Sequence, residues 1–213
     1  MDFKRLQEIV GKEPVFETGL LLAGKVDSAG VRRQISRLTA SGRIIQLRRG
    51  LYALAPPFQK GKPHPFLVAN RIVRASYVSR QSALAYHGLI PEHVPVVTSV
   101  TTSRPGRWEN PLGVFEYRHI KPDFFYGYRM LELGEEQTAL VATAEKALLD
   151  LLYLQPGSDS HQYLKELRLQ NLERLDLGEL SRLAVKSGRP KLRRAARLVE
   201  NMALGEAEEY EPL

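Results

Sequence analysis

Between Lys25 and Leu54 the chain reads KVDSAGVRRQISRLTASGRIIQLRRGLYAL, and this stretch constrains everything around it. Asp27 and Ser28 are residues that start helices, because their side-chain oxygens accept from the first unbonded backbone amides. Val31, Ile35 and Leu38 recur at i, i+4 and i+7, the apolar stripe of a surface helix. The opposite face carries Arg32, Arg33, Ser36, Arg37 and Ala40, and Ser41-Gly42 ends the helix. A β-rich run from Arg43 to Leu47, the turn Arg48-Arg49-Gly50 and then Leu51 to Leu54 read as a hairpin. A helix with a basic outer face, followed by a short hairpin tipped with arginines, is the layout of a winged helix-turn-helix. Its helix enters a major groove while the wing meets the adjacent backbone.

Charge points the same way. This stretch holds seven basic residues (Lys25, Arg32, Arg33, Arg37, Arg43, Arg48 and Arg49) against Asp27 alone, a net +6 where the whole protein carries +7. Positive charge gathered in one small element is the footprint of phosphate binding. The alternative is a solvated basic helix without a partner. On the DNA reading, Arg33, Ser36 and Arg37 face the bases, where arginine binds guanine through two hydrogen bonds. Arg32, Arg48 and Arg49 hold phosphates and fix register, and Lys25 and Ser28 anchor a phosphate at the helix N-terminus.

At 213 residues the chain suits one small domain joined to one of ordinary size. It has no cysteine, which excludes disulfides, thiolate metal sites and cysteine nucleophiles. It has neither an apolar run of membrane-spanning length nor a signal-peptide core at MDFKRLQEIVGKE, so a cytoplasmic protein is expected. Asp2 caps a first helix with Phe3, Leu6, Ile9 and Val10 on one face, and Val15 to Leu22 supplies a second. Four prolines and a glycine between Ala55 and Pro65 mark a linker. Beyond it, helices are expected over Phe66–Val73 and from Ser79 to His87. Strands are expected at Tyr77-Val78, Val94–Thr102 and Gly113–Ile120, with one or two more between Phe124 and Leu133. Thr143 caps a helix to Tyr153, His161 to Leu169 forms another, and Asp176 with Glu179 forms a capping box. A last helix runs from Lys191 to Leu204. The expected fold is therefore α+β: an N-terminal winged helix-turn-helix domain (residues 1–55), a linker (56–65), a larger α/β domain with a helical C-terminal region (66–204) and a loose acidic tail (205–213).

Several of these stretches together resemble the AbiEi family, the antitoxins of type IV toxin–antitoxin systems. They are SRLTASGRIIQLRRGLYAL (Ser36 to Leu54), Tyr77-Val78-Ser79, SALAYHGLIP (Ser82 to Pro91), Thr98 to Thr101, Pro111-Leu112-Gly113, Tyr117 to Ile120 and ATAEKALLD (Ala142 to Asp150). The likeness spans roughly Gly19 to Tyr153, with Ala144 where the family usually has proline. The resemblance implies a DNA-binding N-terminal domain that represses its own operon at an operator, with inverted repeats requiring two copies on the duplex. It also implies a C-terminal domain that counters a nucleotidyltransferase toxin, with or without tight contact. Family-like proteins also act as stand-alone regulators.

Signs of catalysis are few. His64, His87, His93, His119 and His161 form no metal-ligand spacing, and neither a metal nor a cofactor is expected. His87 reads as a helix cap or core residue, and His119 as a surface or groove residue. Glu145, Lys146 and Asp150 suit either acid–base work or ordinary surface and interdomain ion pairs, the latter preferred. Gly157-Ser158-Asp159-Ser160 lacks the second carboxylate a nucleotidyltransferase requires. One more patch stands out: Arg182, Lys186, Arg189, Lys191, Arg193, Arg194 and Arg197 occur between Ser181 and Val199 with no acid. It suits DNA, RNA or an acidic toxin surface, or else a merely solvated helix that the acidic tail folds back to screen. A nucleic-acid-processing enzyme and a protein–protein adaptor are the competing functional classes.

Overall fold

A computed structural model describes residues 2–24, 27–91 and 94–209. Lys25, His93 and the last four residues of the expected tail lie outside the described residues. The first element, α1 (Phe3–Val10), is capped by Asp2, whose carboxylate accepts from the Arg5 amide at 2.8 Å. The expected second helix is only partly present. Phe16–Glu17 forms strand β1, and α2 is the short Thr18–Leu21. Pairing decides this: Phe16 and Glu17 lie opposite Tyr52 and Leu51, so long-range hydrogen bonds override a local helical tendency. Then come α3 (Ser28–Ala40), β2 (Ile44–Arg48) and β3 (Leu51–Leu54), the three strands forming a sheet in the order β1-β3-β2.

All four residues of β3 are buried. Tyr52 and Leu54 face a smaller core with Leu6, Val10, Phe16, Leu21, Val31, Ile35, Leu38 and Ile44. Leu51 and Ala53, with Leu47 of β2, face the other way into the larger core. Alternation along a strand normally leaves one face to solvent. Here neither face of β3 is free, and this strand is the wall shared by two cores.

The segment expected to be a linker is held in place. Gln137 accepts from the His64 amide at 2.7 Å and donates to the Lys62 carbonyl at 2.9 Å. His64 then caps α4 (Pro65–Ile72), its Nδ1 accepting from the Phe66 amide at 3.1 Å, with Pro65 at the first helical position. There follow β4 (Ser76–Val78), α5 (Arg80–Tyr86), β5 (Val96–Thr101), β6 (Gly106–Asn110), β7 (Gly113–His119), β8 (Tyr128–Glu132) and β9 (Thr138–Ala142). They make a six-stranded mixed sheet ordered β6-β7-β5-β4-β9-β8, with β5/β7 and β4/β9 parallel.

Strands β6 and β9 were not expected. β9 (TALVA) is parallel to β4 and mostly buried, so it lacks alternation; β6 (GRWEN) is an edge strand sustained by its pairing with β7. The register Val78↔Ser99↔Tyr117 puts Tyr117 on the face opposite Tyr77. Tyr117 donates to the Ala69 carbonyl of α4 at 2.7 Å, and Tyr77 reaches α6 (Ala144–Leu154), so helices cover both faces. Thr143 caps α6 by accepting from the Lys146 amide at 3.3 Å.

The remainder is helical: α7 (His161–Glu166), α8 (Leu177–Lys186) and α9 (Pro190–Glu209), with α8 and α9 packed on α6. Asp176 accepts from the Glu179 amide at 2.8 Å as a cap requires. The return half of the expected box does not form, because the Glu179 carboxylate turns to Arg182. Helix α9 runs through Glu209, past the expected end at Leu204, because alanine and glutamate favour helix over a loose tail. The fold is mixed α+β with a helical C-terminal region.

Burial pushes the pKa of His64 below the ordinary histidine value of 6.5, and its cap needs the neutral imidazole. The folded state therefore binds this proton less readily than the unfolded chain. The His64 contribution to stability is full above about pH 6.5 and is lost as pH falls towards the lower folded value. Urea denaturation from pH 8 down to pH 5 should show that decline, and His64→Asn, which keeps a capping acceptor, should flatten it.

Candidate nucleic-acid interface

Helix α3 is built for one buried and one open face. Val31, Ile35 and Leu38 are buried, while Arg32, Arg33, Ser36 and Arg37 are exposed. Arg32 with Ser36 and Arg33 with Arg37 are i,i+4 neighbours, so the four side chains form one compact polar patch. Arg33 comes within 3.8 Å of Asp27 with both groups in water, a weak tie that a stronger acceptor can replace. Arg32, Ser36 and Arg37 have no side-chain partner among the described residues.

The N-terminus of α3 differs from expectation. Asp27 accepts from the Ala29 amide at 3.1 Å, and backbone hydrogen bonds from Gly30 first and Ala29 next hold its carboxyl below the ordinary carboxylate range. An ionised carboxylate thus already occupies the place assigned to a phosphate. Ser28 remains exposed beside it, and Lys25 lies outside the described residues.

The hairpin arginines part company. Arg49 is exposed at the turn, next to Gly50 with φ 82°, a backbone conformation natural to glycine. Arg48 is drawn inward. Its guanidinium donates to the carbonyls of Arg49 at 3.0 Å and Arg71 at 3.4 Å and lies 3.8 Å from Glu17. It ties the hairpin to the larger core rather than standing free at the tip.

In the second basic patch three of the seven cations face an acid, one on the same helix and two from other parts of the chain. Arg182 makes two hydrogen bonds of 2.6 Å to Glu179, and Arg194 pairs with Asp159 at 2.7 Å. Arg189 lies 3.4 Å from Asp123 and within 5.1 Å of the Phe124 and Tyr153 ring centres. Lys191 donates to the Gln155 carbonyl, and the Lys186 ammonium sits 4.1 Å from the Tyr126 ring centre. Arg193 and Arg197 are exposed and have no ion pair among the described residues.

Lys146 and Asp150 are not surface groups. Both side chains are fully buried and hydrogen-bonded to each other. The Asp150 carboxylate also accepts from Tyr77 at 2.9 Å and Ser79 at 2.7 Å. The Lys146 ammonium donates to the Tyr77 hydroxyl at 2.9 Å and lies 3.8 Å from the Phe124 ring centre. Burial pushes the Lys146 pKa down and that of Asp150 up, and each partner opposes the shift of the other. Shielded from solvent, the cluster has a structural role: it fixes α6 to β4. Their i,i+4 spacing on a helix with apolar residues all round was the available sign of it.

Glu145 is likewise buried and accepts from the Asp176 amide at 3.0 Å. His87 caps α5 and bonds the Ala142 carbonyl at 2.9 Å, and His119 is an exposed strand residue. Ser158 donates to the Leu152 carbonyl at 2.6 Å, and Ser160 caps α7, so this loop is structural too. No cluster of three or more His, Asp or Glu residues suited to a metal occurs among the described residues. None of the described helices is long and apolar enough to cross a membrane.

The class defined so far is a mixed α+β protein whose N-terminal unit presents one basic helix beside a hairpin. Residues 19–55 of the chain match a family model described as a transcriptional regulator, AbiEi antitoxin. The match takes in all of α2 but its first residue, α3 and the hairpin, and it ties this span to regulators of transcription and to antitoxins. The stretches SALAYHGLIP and ATAEKALLD lie beyond it. No curated protein matches the chain.

Removing one member of a buried ion pair leaves the other charge uncompensated, at a cost of about 3–5 kcal/mol. Lys146→Met should lower unfolding stability by that order in urea titrations. Lys146→Met combined with Asp150→Leu should cost less than the single change.

Proposed function

We propose that residues 1–55 form a winged helix-turn-helix that binds operator DNA, with α3 in the major groove, and that residues 66–204 form the effector unit. The observation that carries this reading is the outer face of α3. Four polar side chains, three of them arginine, stand exposed over a rigid apolar seam, inside the span that matches the AbiEi regulators. Arg33, Ser36 and Arg37 read bases, and Arg32 and Arg49 hold phosphates. Arg48 serves as the strut that sets the angle of the wing, and Ser28 is a peripheral contact.

On this reading the protein is a non-enzymatic cytoplasmic antitoxin that represses its own operon, and its effector unit counters a nucleotidyltransferase toxin encoded beside it. The family match supports the regulatory and antitoxin parts. Autorepression and the identity of the toxin rest on the wider sequence resemblance.

Fluorescence anisotropy tests the assignment, using the protein's own upstream DNA and a scrambled duplex at two salt concentrations. Each arginine–guanine pair is worth about 1–3 kcal/mol of discrimination. Arg33→Ala with Arg37→Ala should therefore remove the preference for the upstream duplex while leaving the fold intact by circular dichroism. Equal weak binding to both duplexes, unchanged by the substitutions, would overturn the recognition-helix assignment.

A further inference from the structure

Three arginines from separate elements gather round one carboxylate where the two cores meet. Glu17, on β1 opposite Leu51, receives Arg74 through Nη2 at 2.5 Å and Nε at 3.3 Å, and Arg48 lies 3.8 Å away. Arg48 donates to the Arg71 carbonyl, which brings the end of α4 against the hairpin turn. The Arg71 side chain is exposed and makes no hydrogen bond or ion pair among the described residues. The hydrogen bond from Arg74, then the fields of Arg74, Arg48 and Arg71, hold the Glu17 carboxyl below the ordinary carboxylate range, so it stays ionised. Arg49 stands next along the same turn, exposed. Three guanidinium groups thus share one negative charge, with Arg49 the next residue along the chain from Arg48.

Like charges held together on a surface repel one another, and a polyanion laid across them relieves that repulsion. Guanidinium groups match phosphate oxygens through paired hydrogen bonds. The patch on α8 and α9 is different, because Arg182, Arg189 and Arg194 each already face a carboxylate of their own within the fold.

We propose that this joint is a second contact for the DNA backbone: Arg49 of the hairpin turn, with Arg71 and Arg74 of the larger unit, grips phosphates flanking the groove that α3 fills. The inference rests on the DNA-binding reading above and extends the footprint onto a unit that the family match does not reach. Glu17 then acts as a stand-in acceptor that orients Arg74 until phosphate arrives, while Arg48 stays in place as the strut of the hairpin.

The test is the salt dependence of anisotropy with the full chain and the upstream duplex. Each lost phosphate contact should flatten the slope of log K against log salt by about 0.9. Arg71→Gln should cost about one such step and Arg71→Gln/Arg74→Gln about two, with the preference over scrambled duplex retained. Glu17→Gln separates this role from a purely structural tie. A phosphate grip freed of its internal carboxylate binds the duplex more tightly, whereas a joint that needs the carboxylate loosens and binds more weakly. Tighter binding by Glu17→Gln with flatter slopes in the arginine variants is the expected result. Unchanged slopes in both arginine variants, or weaker binding by Glu17→Gln, would overturn the proposal. Failure of the recognition helix shows separately, as equal affinity for scrambled DNA that R33A/R37A does not alter. Absence of duplex binding at every salt concentration overturns both.

Discussion

Strand β3 is buried on both faces, and the rest of the molecule depends on that. Tyr52 and Leu54 complete the small core under α3, while Leu51, Ala53 and Leu47 belong to the core of the six-stranded sheet. A small helical unit of this size has little apolar area with which to stabilise itself. Sharing a strand with a larger core supplies what it lacks. The same sharing fixes where the basic face of α3 stands relative to the sheet, and Asn110 of β6 adds a hydrogen bond to the Leu47 carbonyl at 3.3 Å.

Charge is used in two different ways. Inside, Lys146 and Asp150 are removed from water and bonded to each other, with Tyr77 and Ser79 satisfying the carboxylate; such a pair contributes precise placement more than net stability. Outside, several acids are drawn into neutralising particular cations: Glu179 with Arg182, Asp159 with Arg194, Glu17 with Arg74. Arg32, Arg33 and Arg37 on α3, Arg49 at the hairpin turn, Arg71 on α4, and Arg193 and Arg197 on α9 remain exposed without a hydrogen-bonded acid among the described residues. The net charge of the chain is therefore a poor guide to where a polyanion would lie, and the distribution of unmatched arginines is a better one.

What could be read from the sequence was what is local. The apolar seam of α3, the caps at Asp2, Asp27, Thr143 and Asp176, and the turn at Gly50 all follow from residues a few positions apart. Strand β1 leaves no local signal because its two residues are held by partners some 35 positions away, and β9 leaves none because its mostly buried, apolar run lacks alternation. The same limit applied to the candidate site. Counting charges between Ser181 and Val199 missed Asp123 and Asp159, which reach that surface from elsewhere. Arg48 looked like a free wing residue because Glu17 and the Arg71 carbonyl are distant in sequence and adjacent in space.

A strand with a different allegiance on each side also has a consequence for how the molecule comes apart. Neither core can lose its order without stripping β3 of half its packing, so the two are not independent melting units. Heat or denaturant should meet them as a single cooperative block. A destabilising change deep in the larger sheet would then be felt at the basic helix as a lower population of the folded state, with no residue near that helix altered.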